Sequence, residues 1–230
     1  MNQGRSNLAA AIRILEKQGW FSQRSDATRA KLSAIAKLRN FTKDELVYLA
    51  SDAPNGVFGL VSGSFNISFP RGDGQDYTLH RAGPGFWVGD LALFSRGPRL
   101  VSVRAAEPTQ MVQLPANDLA RLVRDDPHLY ADFYALTYEN FQTVYRIIVN
   151  LAIPSTDKRI ADRLLLEVET RGDGDNWISL SKPELARLVA VSLPTLQRVM
   201  RRFAGAGLVT NGYARIQVMD RDALVRLCRG

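Results

Sequence analysis

The chain is poor in the residues that most often carry redox and metal chemistry. Among 230 residues it has one cysteine, Cys228, and two histidines, His80 and His128. A single thiol excludes a disulfide framework within the chain and any iron–sulfur or all-cysteine cluster held by one copy. The two histidines read as a strand residue and a helix-cap residue rather than haem ligands, and no metal-ligand spacing appears, so no metal is expected. No apolar run approaches the roughly 20 residues a membrane helix needs. The best N-terminal candidate, Leu8 to Leu15, is interrupted by Arg13, so neither a span nor a secretory signal is expected. No Ser/His/Asp set or paired-carboxylate cleft is visible, which leaves catalytic residues at none and argues against an enzyme. A reducing cytoplasm fits these absences best.

What is present is an ordinary globular balance, 46% hydrophobic and 23% charged residues, with 30 bases against 23 acids and a formal charge of +7. That charge is unevenly placed. Residues 1 to 50 carry 9 bases and 4 acids, residues 51 to 150 carry 8 and 10, and residues 151 to 230 carry 13 and 9. The stretch Leu185 to Met219 holds Arg187, Arg198, Arg201, Arg202 and Arg215 and no acid. A polyanionic partner is the simplest use of such a stretch, with a solvated basic face as the plain alternative.

Residues 1 to about 50 read as short helices, with Ile12, Leu15, Leu32, Ile35 and Leu38 at three- and four-residue intervals. From Val57 to Leu114 the pattern changes to short alternating runs such as Phe65-Asn66-Ile67-Ser68-Phe69. These are punctuated by turn signals at Gly63, Gly72 to Gly74, Gly83 to Gly85 and Gly97-Pro98. Several strands at regular spacing predict a sandwich or jelly-roll. Asp126-Pro127 then signals the start of a helix that nothing breaks before Pro154. Along it Tyr130, Tyr134, Thr137, Phe141, Val144, Ile148 and Leu151 follow a heptad seam, and Phe133, Leu136 and Ile147 form a second apolar stripe. Two apolar faces predict burial on two sides, against the roll and against a second copy, with a plain core helix as the alternative. Ile153-Pro154-Ser155 reads as a hinge, followed by a helix from Asp157 to about Thr170, a turn at Gly172 to Gly174 and a strand over Trp177 to Leu180.

The last segment carries the most specific signal. Ser181 and Glu184 form a capping box with Pro183 in the first turn, and Leu185, Ala186 and Val189 supply a buried face. After Ala190-Val191, Ser192 is placed to cap a second helix with Pro194 in its first turn. There Leu196, Val199, Met200 and Phe203 point inward, leaving Thr195, Gln197, Arg198, Arg201 and Arg202 outside. Asn211-Gly212 reads as a hairpin turn before the strand Ala214 to Val218, which makes a wing bearing Arg215. A cationic helix on a short turn is what major-groove reading needs, because Arg bonds guanine bidentately, Gln bonds adenine and a Thr methyl meets thymine. Ser192, Thr195, Gln197, Arg198, Arg201, Arg202 and Arg215 are therefore the candidate DNA-binding residues.

The capped helix pair, the wing, the long helix and the glycine-punctuated roll together resemble the cyclic-AMP receptor protein/FNR (CRP/FNR) superfamily of bacterial transcription regulators. The resemblance spans nearly the whole chain. It is clearest over Ile178 to Val209 and over Gly89-Asp90-Leu91-Ala92-Leu93-Phe94 followed by Arg99 and Val103-Arg104-Ala105. It implies an α+β chain in three parts: N-terminal helices plus a cyclic-nucleotide-binding-type β-roll over 1–115, a dimerisation helix region over 116–153, and a winged helix-turn-helix over 154–230. It also implies a homodimer joined through the helix at about 128–152, acting on palindromic double-stranded DNA with half-sites roughly 34–36 Å apart. RNA polymerase is the further partner it implies.

The resemblance also implies an effector site formed by Gly89, Asp90, Leu91, Arg99, Leu100, Val144 and Tyr145, with a cyclic nucleotide as the ligand class. In nucleotide-responsive members a carboxylate accepts from the ribose hydroxyl, helix-start N–H groups meet the phosphate and an arginine offsets its charge. Here Asp90 stands for the usual glutamate, Leu100 for a small hydroxyl residue, and Val144-Tyr145 for the Thr-Ser pair that reads adenine. Those departures argue against an ordinary cyclic-AMP response. A different cyclic nucleotide, an unrelated effector or none, and weak cyclic-AMP binding stay open. In the second helix Arg198 matches a base-reading arginine of the family, whereas Leu193-Pro194 replaces the Arg-Glu pair before it, so the operator is expected to differ. The competing reading from another class is a ligand-binding regulatory module whose basic winged helix docks on a protein.

Overall fold

The computed structural model describes residues 2–70, 76–171, 176–212 and 215–229. The turns expected at Gly72 to Gly74 and Gly172 to Gly174, and the strand start at Ala214, lie outside the described residues. Two compact units divide the chain, Met1–Thr143 and Val144–Gly230. The first contains α1 (Asn2–Leu15), α2 (Gly19–Ser22), α3 (Asp26–Ile35), β1 (Lys37–Phe41), β2 (Leu46–Tyr48), β3 (Gly56–Ser62), β4 (Phe65–Pro70), β5 (Asp76–Ala82), β6 (Trp87–Val88), α4 (Asp90–Ser95), β7 (Ser102–Ala105), β8 (Thr109–Pro115) and α5 (Ala116–Asp125). It also contains the first part of α6 (Leu129–Ala152). The second contains the rest of α6, α7 (Thr156–Arg171), β9 (Trp177–Ile178), α8 (Lys182–Leu188), α9 (Leu193–Gly205), β10 (Val209–Gly212), β11 (Arg215–Val218) and α10 (Arg221–Arg229). The fold is α+β, as expected.

Two four-stranded antiparallel sheets, ordered β1-β8-β3-β6 and β2-β7-β4-β5, form the roll. Strand β3 shows why its sequence is almost continuously apolar. Val57 and Val61 enter the core shared with the helices, while Phe58 and Leu60 enter the core between the sheets, so both faces are buried. Strand structure starts within the first 50 residues, where short helices alone were expected. Lys37–Phe41 pairs with β8 along one edge only, from Lys37 opposite Gln113 to Phe41 opposite Thr109. Its apolar residues Leu38 and Phe41 are three apart and follow Ile35, a spacing that a helix shares, so periodicity alone did not separate the two.

The helical lead-in is fixed to the start of α6. Trp20 packs on Trp87 and Phe133 with ring centroids 5.3 and 5.2 Å apart, and its indole N–H donates to the Asp132 carbonyl at 2.7 Å. The Asp132 carboxylate accepts from Arg24 Nη1 and Thr28 Oγ1, each at 3.0 Å, and Lys31 Nζ meets Asp126 at 2.7 Å. Part of the basic N-terminal charge therefore pairs with acids at the head of the long helix. Gly19 opens α2 at φ +65, where an added Cβ would lie 2.0 Å from the Gly85 carbonyl oxygen. No side chain fits there.

In the second unit α7, α8, α9 and the sheet β10-β11-β9 enclose one core that includes Leu164, Leu185, Val199, Phe203 and Ile216. The hairpin register differs from the expected one. Gly212 pairs with Arg215 and Asn211 with Ile216, so both are strand residues. Asn-Gly was a sound turn signal, but the register that buries Ile216 and Val218 decides the pairing. Beyond the wing lies α10, a helix introduced by Asp220, whose carboxylate accepts from Ala223 N at 2.8 Å. Leu224 anchors it in the core.

The helix α6 begins after Asp126 and ends at Ala152, two residues before Pro154. Phe133, Leu136 and Ile147 are each 1% exposed, while Tyr134, Phe141, Tyr145 and Ile148 are 75, 64, 59 and 58% exposed. One stripe is thus covered within a single copy of the chain and the other is not. Thr137 leaves the seam to which its spacing assigned it. Its hydroxyl donates to Asp90 Oδ2 at 2.5 Å, and Asn140 Nδ2 donates to Oδ1 at 3.0 Å. Asp90 is 2% exposed. Burial pushes its carboxyl above the usual aspartate range, against the opposing pull of Thr137 and Asn140.

Thr137→Val removes a charge-assisted bond to a buried carboxylate, worth about 1.5–3 kcal/mol. Losing that donor raises the Asp90 pKa further. The destabilisation is therefore complete above the Asp90 titration and shrinks as pH falls through it, where a neutral carboxyl needs the donor less. Denaturant unfolding across acid to neutral pH checks this. A loss independent of pH sinks the assignment.

Candidate nucleic-acid interface and sensor loop

Local chemistry builds the helix pair. Ser181 Oγ accepts from Glu184 N while the Glu184 carboxylate accepts from Ser181 N at 2.7 Å, which completes the capping box of α8. The turn that follows contains Ala190 in the left-handed region at φ +52 and is closed by Val191 N donating to the Ala186 carbonyl at 3.0 Å. Ser192 then caps α9, accepting from Thr195 N at 3.4 Å, with its hydroxyl 2.9 Å from Thr195 Oγ1. Leu196, Val199, Met200 and Phe203 are buried, which turns the opposite side of α9 to solvent.

On that side Gln197, Arg198, Arg201 and Arg202 are exposed and Thr195 is half-buried. Among the described residues no acid pairs with Arg198 or Arg201. Arg202 is different, because its Nη2 lies 2.5 and 2.6 Å from the two carboxylate oxygens of Asp157 in the first turn of α7. The arginines of this helix are therefore unequal, two presented and one held. In the wing, Arg215 is exposed and its guanidinium sits 4.0 Å from the centroid of the Trp177 ring. Trp177 carries no signal in the sequence beyond that of a strand residue, because its position beside the wing depends on the pairing of β9 with β11.

The candidate effector residues of the loop fall into two groups. Gly89, Asp90 and Arg99 come together, while Leu91 and Leu100 are exposed. Gly89 adopts φ +105 at the start of α4, where an added Cβ would meet Arg99 Nη1 at 2.5 Å. Arg99 is 3% exposed. Its Nη1 donates to the Gly89 carbonyl at 2.9 Å, and its Nη2 donates to the Gly56 carbonyl at 2.7 Å and to Asn55 Oδ1 at 2.9 Å. The guanidinium also lies 4.0 Å over the Tyr48 ring. Burial lowers the arginine pKa and raises that of the Tyr48 phenol. As arranged, Asp90 accepts from Thr137 and Asn140 of α6, and Arg99 donates to backbone and amide oxygens. Val144 and Tyr145 belong to the second compact unit, both on the exposed side of α6.

The family of the cyclic nucleotide-binding domain matches residues 38–126, and that of the Crp-like helix-turn-helix domain matches residues 158–227. A CRP-like cAMP-activated global transcriptional regulator of Mycobacterium tuberculosis is 21% identical over 221 residues, covering 94% of this chain and 99% of the relative. The cyclic AMP receptor protein of Thermus thermophilus is 25% identical over 192 residues, covering 84% of this chain and 88% of the relative. The solved structure of FixK2 from Bradyrhizobium japonicum shares the fold with a TM-score of 0.74 at 19% identity, covering 84% of this chain and 97% of that one. With a cyclic nucleotide-binding roll followed by a Crp-like helix-turn-helix, and relatives aligned across both, the chain belongs to the CRP/FNR family of transcription regulators.

Proposed function

We propose that this regulator is a homodimer that reads a palindromic operator with α9 and grips the backbone with its wing. The carrying observation is the solvent face of α9, where Arg198 and Arg201 stand beside Gln197 and Thr195 with no acid neutralising them among the described residues. Arg198 serves as the bidentate guanine reader, Gln197 bonds adenine and the Thr195 methyl meets thymine. Ser192 at the helix start, together with Arg201 and Arg215, meets phosphates. Arg202 joins them when it leaves Asp157. The functional domains run over 1–115, 116–153 and 154–230. The protein acts in the cytoplasm by binding rather than by catalysis, and RNA polymerase is its further partner.

The exposed stripe of α6 is the dimer seam. Tyr134, Phe141, Tyr145 and Ile148 would cost water contact over a large apolar surface if left uncovered, and a parallel second copy covers each with its own equivalent. In such a dimer an effector in the roll shifts a pre-existing equilibrium at the Ile153-Pro154 hinge. That effector is not cyclic AMP held in the ordinary way, because Asp90 and Arg99 already bond within the fold.

Four measurements test this reading. In anisotropy titrations of the operator and of random duplex, Arg198→Ala costs about 1–3 kcal/mol on the operator and relaxes one base pair, whereas Arg201→Ala weakens both duplexes alike. Affinity of the wild type falls with salt at a slope of about −0.9 per phosphate contact; no duplex binding in low salt would favour protein docking instead. Phe141→Glu placed in the seam shifts sedimentation from dimer to monomer and lowers operator affinity, and an unchanged dimer would relocate the interface. In thermal-shift measurements, a ligand at about 100 times its dissociation constant adds roughly 2.7 kcal/mol. Cyclic AMP is expected to give no shift, with cyclic GMP and cyclic di-GMP as the parallel arms; a cyclic-AMP shift abolished by Arg99→Ala would reverse the effector assignment.

A further inference from the structure

We infer that Trp177 is a positioning residue for DNA binding: its indole face holds the Arg215 guanidinium in the orientation that grips a backbone phosphate. This rests on the DNA-binding reading above and adds a residue that the helix-turn-helix pattern does not contain. The geometry begins with strand register. Trp177 in β9 lies opposite Gln217 in β11, so Arg215, two residues along, shares its face of the sheet, while Ile216 and Ile178 are buried on the other. The guanidinium carbon is 4.0 Å from the ring centroid. At that distance the planar cation is attracted to the ring face.

Stacking uses the flat face of a guanidinium and leaves its N–H edge outward, which is the edge that meets a phosphate. An exposed arginine otherwise loses much rotamer freedom when it binds. The ring takes up part of that ordering before DNA arrives. Arg202 makes the contrast, because its own N–H edge is occupied by Asp157. Gly212 completes the arrangement. It is the strand partner of Arg215, and a Cβ there would lie 2.9 Å from Arg215 Cγ and 3.2 Å from Trp177 Cζ3. Glycine keeps open the lane along which the arginine lies.

A double-mutant cycle on the full-length protein tests the inference, with random duplex affinity as the readout and melting temperature as a check on folding. Trp177→Leu is expected to weaken binding about two- to fivefold, and Trp177→Phe to retain most of the affinity because an aromatic face remains. In an Arg215→Ala background Trp177→Leu is expected to change affinity no further, and the same holds in an Arg215→Lys background, where the charge stays but the planar stack is lost. A loss from Trp177→Leu that persists undiminished in the Arg215→Ala background overturns the inference, since Trp177 would then act through the fold of the unit or its own DNA contact. Wild-type affinity retained in Trp177→Leu overturns it as well. If the wild type binds no duplex, the DNA-binding reading itself fails, which is a distinct result.

Discussion

The 24-residue helix α6 carries more apolar surface than one copy of the chain covers. Its Phe133 and Leu136 side enters the core beneath the roll, and its Tyr134, Phe141, Tyr145 and Ile148 side remains in water. Isolated apolar residues on a surface are unremarkable; a continuous band of them along one helix is a surface built to be covered. A second copy of the same helix is the simplest cover, because a two-fold axis brings each residue against its own equivalent. In the proposed dimer, the symmetry of the seam sets the symmetry of what the winged helices read. The proposed palindromic operator is a consequence of this one constraint.

The arginines divide according to what they touch. Arg24 closes on Asp132, and Arg99 is enclosed by Gly89, Gly56 and Asn55. Arg146 and Arg221 share Glu169 in the second unit. Those groups hold chain segments together, and their charge is spent within the fold. Arg198 and Arg201 are presented to solvent, and Arg215 lies on an aromatic face that occupies none of its donors. A net charge of +7 is therefore a poor measure of binding surface. Its distribution over partners, residue by residue, carries the functional content.

The buried Asp90 links two of these themes. Its carboxylate faces α6 through Thr137 and Asn140, and Arg99 beside it is a strut between the loop and the start of β3. This loop of the cyclic nucleotide-binding domain is cross-braced by its own polar groups. Burial costs both charges, as the direction of each pKa shift shows, and their hydrogen-bond partners offset part of that cost.

The helix-turn-helix was legible because its signals are local. A cap, a proline in the first turn and an apolar face at helical spacing act within about a dozen residues, and Ser181, Ser192 and the Leu196 to Phe203 face behave as their spacing dictates. The two-sided nature of α6 was legible for the same reason. The strand at Lys37, the register that pairs Asn211 and Gly212 within a strand, and the inward turn of Thr137 were not legible, because each depends on a partner more than about 30 residues away or on which face a neighbour buries. The sequence by itself determined the class of fold, the order of its parts and the cationic face of α9. Only the tertiary structure decided that Arg202 is held while Arg198 is presented, that Asp90 and Arg99 turn inward, and that Trp177 lies beneath Arg215. Those outcomes depend on which distant groups come within hydrogen-bonding or stacking distance, and spacing along the chain does not encode that.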